Sequence, residues 1–196
     1  MLDQSTANEV IFEALSLGAD FCDVFVDKQT IESITMNSSK VKDIRSGVDF
    51  GVGVRLIYGD QALYGYTNST DKEELIKLTK ILAEQNKKQT TISKTIAFKT
   101  KDFKVIASLG DKEVSLKDKI SHLHSLDKKV RANSELINQV SLGLMLKKQE
   151  VEIFDSEGLH VRDSRPYVRL STNAIAKDGN DQASGFWAPG ARGGYD

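Results

Sequence analysis

Between Val48 and Tyr58 the chain alternates without a break. Val48, Phe50, Val52, Val54, Leu56 and Tyr58 take every second position, separated by Asp49, Gly51, Gly53, Arg55 and Ile57. Successive side chains of a strand point to opposite faces, so this spacing predicts a strand with one wholly apolar face that has to be buried. Phe50, Val52, Val54 and Leu56 are its expected core residues. The opposite face carries two glycines two residues apart, where a helix or a second backbone could come close. Gly59-Asp60 reads as a turn and Ala62 to Tyr66 as the returning strand of a hairpin. The pattern dictates a sheet and names no chemistry.

The flanking segments supply the rest of an α+β pattern. Ser5 to Leu17 is predicted helical, with Val10, Ile11, Ala14 and Leu17 on one face, Ser5 or Thr6 as cap and Gly18 as the left-handed stop. Cys22 to Asp27 reads as a strand, apolar on both faces. Ile31–Met36 and Val41–Arg45 form a hairpin about Asn37-Ser38-Ser39. Thr70-x-x-Glu73 opens a second helix lined by Leu75, Leu78 and Leu82 to about Gln89, and Ser115-x-x-Asp118 opens a third, striped by Leu116, Ile120, Leu123 and Val130. Lys87 to Ser108 is a polar connector with weak strand signals at Ile96–Phe98 and Phe103–Ala107.

A second meander follows. Val140, Leu142, Leu144 and Leu146 alternate, then Val151 and Ile153 against Glu150 and Glu152, and Asp155-Ser156-Glu157-Gly158 turns the chain. Leu159 and Val161 are expected to face inward and His160 and Arg162 outward, with Pro166 interrupting before Val168 and Leu170 resume the core pattern. The fold class is therefore α+β, with antiparallel or mixed meanders packed with about three helices. Residues 1–188 form the domain, with possible internal halves 1–90 and 110–188. A weak echo supports the halves: Val54-Arg55-Leu56, Asp60-Gln61-Ala62 and Gly65-Tyr66 resemble Val168-Arg169-Leu170, Asp181-Gln182-Ala183 and Gly185-Phe186. Residues 189–196 are a Gly-rich tail, expected to be mobile and to lead to a C-terminal metal-binding domain that lies outside this sequence.

Charge and composition exclude more than they assign. With 28 acidic and 27 basic residues the net charge is −1, so no single-sign field would draw in nucleic acid or an anionic membrane. A lone Cys22 cannot form an internal disulfide and reads as a buried core thiol. With no signal-peptide pattern, this points to the cytoplasm.

His122 and His124, two apart on a helix, point to nearly opposite sides, and His160 belongs to a hairpin's outer face, so the chain has no self-contained transition-metal site. Asp155 to Gly158 is explained as a turn. Gly51-x-Gly53 precedes a strand rather than a helix and is no phosphate loop. Asp163, Arg165, Tyr167 and Arg169 share parity; their structural role is an arginine–carboxylate pair fixing the strand, their functional one a hold on a peptide carboxylate or a partner. No catalytic or metal residue is assigned, and the substrate-binding residues stay open.

Taken in order, several fragments resemble the N-terminal region of the TldD/PmbA family, described as zinc metalloproteases and modulators of DNA gyrase. They are Gly18-Ala19-Asp20 before Asp23-Val24-Phe25; Val41-x-x-Ile44-x-x-Gly47; Gly51 to Ile57; Gly65-Tyr66-Thr67; Val151-x-Ile153-x-x-Ser156-x-Gly158; Asp163-x-Arg165-Pro166-x-x-Arg169-Leu170; and Gly190 to Gly194. The resemblance implies a longer parent whose zinc is held by a His-Glu-x-x-x-His helix and a later cysteine, none of which this chain contains. It implies a parent that hydrolyses small or unfolded peptides, while these 196 residues alone are inactive, lack a cofactor and shape the substrate channel and dimer surface. Expected partners are a peptide substrate and a homo- or heterodimeric TldD/PmbA-like subunit, with no direct nucleic acid and no membrane. Asp163-x-Arg165-Pro166 and the Gly-rich close lean toward the metal-bearing, TldD-like type. The alternative is a non-enzymatic regulatory module, either a metal-lacking PmbA-like subunit or a gyrase-modulating factor.

Overall fold

In the computed structural model, residues 1–86, the backbone of 99–102 and residues 114–195 are described. The predicted alternation is met, but inside longer strands than the sequence suggested. Helices α1 (Gln4–Ser16), α2 (Lys72–Glu84) and α3 (Leu116–Arg131) accompany strands β1 (Phe21–Asn37), β2 (Lys40–Tyr58), β3 (Gln61–Thr67), β4 (Lys99–Asp102), β5 (Ile137–Asp155), β6 (Leu159–Asp178), β7 (Asp181–Trp187) and β8 (Gly190–Ala191). The strands make one sheet in the order β3-β2-β1-β5-β6-β4, with β7 and β8 also paired to β6. The fold is α+β. Residues 28–30, half-buried to exposed, continue β1, and the exposed residues 46–47 continue β2. The Ile96–Phe98 and Phe103–Ala107 segments lie outside the described residues; between them, β4 pairs with β6 in parallel.

Two compact units interleave along the chain. The first draws on Met1–Gln29, the described part of Asp49–Val105, and Gln149–Ser164. Its core gathers Val10, Ile11 and Ala14 of α1, Val24 and Val26 of β1, Val52, Val54 and Leu56 of β2, Leu75 and Leu82 of α2, and Phe154 of β5. Phe50 packs only partly, and Val48, 64% exposed, is outside. Helix α1 is capped by Asp3, whose carboxylate accepts from Ser5 N and Thr6 N, rather than by Ser5 or Thr6 themselves. Gly18, at φ 87°, ends it as expected. Asp71 caps α2 in place of Thr70. On β3, Gly65 lies opposite Val54, and a Cβ there would sit 2.8 Å from Leu78 Cδ1. The glycine thus lets α2 close onto the hairpin.

The second unit comprises Thr30–Val48, Ile106–Lys148 and Arg165–Asp196 so far as these are described. Ile34, Met36, Leu123, Val140, Leu142 and Leu144 form its core. Helix α3 is capped by Ser115 as predicted, but its buried face is Lys119, Leu123 and Asp127, and Leu116 is exposed. Lys119 Nζ lies 2.7 Å from Glu32 Oε2, while Asp127 Oδ2 accepts from Ser39 Oγ at 2.6 Å and from Arg131 Nε at 3.1 Å. These polar members sit four residues apart on the same face as Leu123, where a hydrophobic stripe alone cannot reveal them. Asp127 also holds the tight loop Ser38-Ser39, both at positive φ (48° and 60°) as a two-residue type I′ turn demands.

One expectation for the end of the chain is corrected: Pro166 does not interrupt β6. Within the Gly-rich tail, Gly190–Ala191 pair with β6 as β8. The register Asp178↔Asp181 through Thr172↔Trp187 continues unchanged to Arg169↔Gly190 and Val168↔Ala191. Pro189 fits because its carbonyl accepts from Leu170 N at 3.0 Å, while the reciprocal bond it cannot donate falls at the one gap between β7 and β8.

The weak echo has a structural counterpart in the two hairpins. Gly59-Asp60 and Gly179-Asn180 are both two-residue loops led by a glycine at φ 55° and 56°, each followed by a seven-residue strand. Matched on these turns, Gly65-Tyr66 corresponds to Gly185-Phe186, but Val54 corresponds to Ala174, not Val168. The two hairpins differ in cover: Gly65 lies under α2, whereas a Cβ at Gly185 would meet open space.

Candidate functional site

In the first unit, β1, β2 and β3 present a groove of about 660 Å³. Residues of three neighbouring strands line it, and strand parity puts its main side chains on one face of the sheet. Phe25 and Asp27 come from β1, Asp49 and Gly53 from β2, and Tyr64 and Tyr66 from β3. Tyr66 is 77% exposed, and Tyr64 is largely so. Gly53 makes the geometry possible: a Cβ there would lie 2.6 Å from Tyr64 Oη, so only glycine lets the phenol ring lie down on the strand. The sequence placed a helix or backbone over Gly51 and Gly53; a tyrosine ring covers Gly53 instead, and Gly51 is nearly open.

Asp27 is fixed by two neutral amides. Its Oδ2 accepts from Gln29 Nε2 at 2.6 Å and its Oδ1 from Gln149 Nε2 at 3.0 Å. Asp49 is exposed. None of the residues lining the groove is basic. The arrangement therefore offers flat apolar faces rimmed by negative charge, beside β3, which stands at the edge of the sheet order.

The groove was only half legible in the sequence. The sequence put the two glycines on one face of their strand and Phe25 opposite Val24 and Val26, but the return of Tyr64 and Tyr66 over Gly53 needs the hairpin register, in which Tyr66 lies opposite Gly53 and Tyr64 opposite Arg55.

A second group was misplaced. His160, expected to face outward, is 3% exposed, whereas Leu159 is exposed. His160 Nε2 lies 2.8 Å from Glu152 Oε1, and its ring stacks on Phe154 with centroids 4.1 Å apart. The same carboxylate accepts from Arg162 Nε at 2.5 Å and from Leu2 N at 3.2 Å. Glu152 and His160 thus turn inward against the hydrophobic reading, paired with each other, while His160 Nδ1 is buried without a hydrogen-bond partner among the described residues. The cluster is enclosed by the first unit's core and ties the N-terminus to β5 and β6.

The remaining candidates are placed apart. His122 is exposed and its Nδ1 lies 3.0 Å from Tyr195 Oη, the rings stacked; His124 is half-buried on the same helix. Gly158 turns the chain at φ 90°, with Asp155 Oδ1 accepting from Glu157 N and Leu159 N. Asp163 lies in the first unit and Arg165, Tyr167 and Arg169 in the second. Tyr167 and Arg169 line a cavity of about 480 Å³ with Met145, Lys147, Gly190 and Arg192. Among the described residues, no three His, Cys, Asp or Glu side chains converge as a metal would need. The described residues do not fit zinc.

Cys22 is fully buried, its N–H donating to Ser156 Oγ and its carbonyl accepting from Ser156 N. Burial, reinforced by the charge of Asp23, pushes its thiol pKa far up, and burial also raises that of Tyr58. Both groups then keep their protons longer in the folded chain than in the unfolded one. Stability is therefore unaffected at neutral pH and falls as pH climbs past about 9, where the unfolded thiol ionises. Urea midpoints at pH 7.5 and 10 test this. A midpoint that rises with pH, or rapid labelling of Cys22 in the native chain, would refute it.

A sheet with helices packed on it and an aromatic groove beside an edge strand define an α+β protein. Comparison with known proteins places it further. Residues 22–85 match the family model for domain 1 of the PmbA/TldA metallopeptidases, and residues 110–196 match the model for their central domain. The chain belongs to the TldD/PmbA family, as its N-terminal region. It is 27% identical over 191 residues to a metalloprotease TldD homolog of Haemophilus influenzae, covering 95% of this chain and 39% of the relative. A TldD homolog of Buchnera aphidicola is 24% identical over 182 residues, covering 90% and 37%. The chain thus spans about two fifths of the length of these curated relatives.

Solved structures share the fold. A protein of Thermotoga maritima described as a candidate modulator of DNA gyrase superposes with a TM-score of 0.78 at 14% identity, covering 97% of this chain and 43% of its own. A similarly described protein of Bacteroides thetaiotaomicron gives 0.75 at 16%, covering 96% and 45%. TldE of Thermococcus kodakarensis gives 0.70 at 13%, covering 95% and 43%. No helix among the described residues is long and apolar enough to cross a membrane.

Proposed function

We propose that the chain is the non-catalytic, peptide-handling N-terminal domain of a TldD-like zinc metallopeptidase acting on small or unfolded peptides in the cytoplasm. In that reading it shapes the substrate channel and a dimer surface with a TldD/PmbA-like subunit, and touches neither nucleic acid nor membrane. Zinc belongs to residues of the longer protein that this chain does not include. The observation that carries the reading is the aromatic groove beside the edge strand β3. An extended peptide can add to an open strand edge through its backbone, tolerating many sequences, while aromatic faces take alternate side chains.

The test is direct. Incubated with zinc and re-purified, the 196-residue chain is expected to hold well below one equivalent and to leave a peptide pool uncut, yet to bind fluorescent unfolded peptides. Binding is expected to weaken in Tyr66→Ala. Tight stoichiometric zinc would overturn the non-catalytic part, and an absence of peptide binding would overturn the rest.

The names of the structural neighbours favour a second reading, a regulatory module that engages gyrase. A reading frame that continues into a His-Glu-x-x-x-His helix supports the peptidase; co-purification with gyrase from a frame lacking it supports the modulator.

A further inference from the structure

We propose that the groove on β1, β2 and β3 selects a cationic side chain, a lysine or arginine, in the peptide it holds. The inference rests on the reading of that groove as a peptide site and specifies what it reads there. Three features converge. Phe25, Tyr64 and Tyr66 give aromatic faces, and an aromatic face attracts an ammonium or guanidinium through its quadrupole. Asp27 and Asp49 put two carboxylates on the same lining, with no lysine, arginine or histidine among the lining residues to neutralise them. The partners of Asp27 are amides, which orient its oxygens without cancelling their charge and leave lone pairs available.

The shape fits the same ligand. A volume of about 660 Å³ holds several residues of an extended chain, not one side chain alone. The methylene stem of lysine or arginine can lie along the rings while its charged end reaches the carboxylates. An anionic side chain would meet like charge. A neutral apolar one would gain the rings but leave the aspartates in water. The preference therefore separates cationic from isosteric neutral residues.

The experiment uses the full 196-residue chain and acetylated, amidated peptides identical except for one central residue: lysine, arginine, norleucine or glutamate. Calorimetric titration is expected to give lysine and arginine at least about tenfold tighter than norleucine, with glutamate weakest. Asp49→Asn combined with Asp27→Asn should collapse the lysine preference toward norleucine, and Tyr66→Ala should weaken both cationic peptides. Circular dichroism establishes that each variant is folded. Equal affinity for lysine and norleucine peptides would overturn the cation preference and leave the peptide site standing. Failure of every peptide to bind would overturn both. A lysine preference that survives the aspartate and Tyr66 changes would place recognition elsewhere and overturn the assignment to this groove.

Discussion

Val54→Asp is expected to abolish cooperative folding. Val54 is fully buried at the centre of the first unit's core, opposite Gly65, whose bare position is filled by Leu78 and Leu82 of α2. The core residues gathered around Val54 are apolar, so an aspartate there would be buried unpaired or protonated without a partner, at a cost of several kcal/mol. Domains of this size are stable by only about 5–15 kcal/mol. Val48→Asp is the control on the same strand, because Val48 is mostly in water, and its effect should stay within about 0.5 kcal/mol. Urea melts followed by circular dichroism read both. A soluble Val54→Asp protein that melts cooperatively near the parent would refute the core assignment.

Glu152→Ala is the second change with a large expected effect. Its carboxylate is completely buried and serves three donors: Leu2 N, His160 Nε2 and Arg162 Nε. Truncation leaves His160 enclosed against Phe154 without its partner and opens a void, and it frees the N-terminal segment that Leu2 anchors. Arg162 softens the loss, since its side chain is 56% exposed and can turn to water. A cost of about 2–4 kcal/mol follows from a lost charge-assisted network plus stranded buried polar atoms. Arg162→Ala should cost about 1 kcal/mol or less for the same reason. Chevron or equilibrium urea data would show the order. Equal effects from the two variants would mean that the burial of Glu152 carries no special weight.

The contrast between these two sites shows what the sequence could disclose. Val54 was legible because a one-sided apolar strand has a single solution. Glu152 and His160 were not, because polar residues that pair with one another on the inner face are indistinguishable in sequence from a polar outer face. The same limit hid Lys119 and Asp127 on α3, whose partners Glu32 and Ser39 lie more than 80 positions away. The hairpins, the Ser115 cap and the stop at Gly18 were readable because each depends on a few adjacent residues. The caps Asp3 and Asp71 were missed by one to three positions, where several capable side chains stand in a row. Pro189 misled because a proline at a sheet edge loses one bond rather than the strand. The groove required register, which no run of letters states.

The bare hairpin of β6 and β7 has a practical consequence. Trp187, the one tryptophan of the chain, stands on β7 and is 71% exposed. Its indole therefore emits from water in the native protein much as it would in the unfolded one. Tryptophan fluorescence is a poor witness to loss of the first unit's core, and melts followed by it alone would understate unfolding. For the same reason it is a clean optical probe of the β7 edge, since anything that covers the strand must move the emission to the blue against an otherwise constant background.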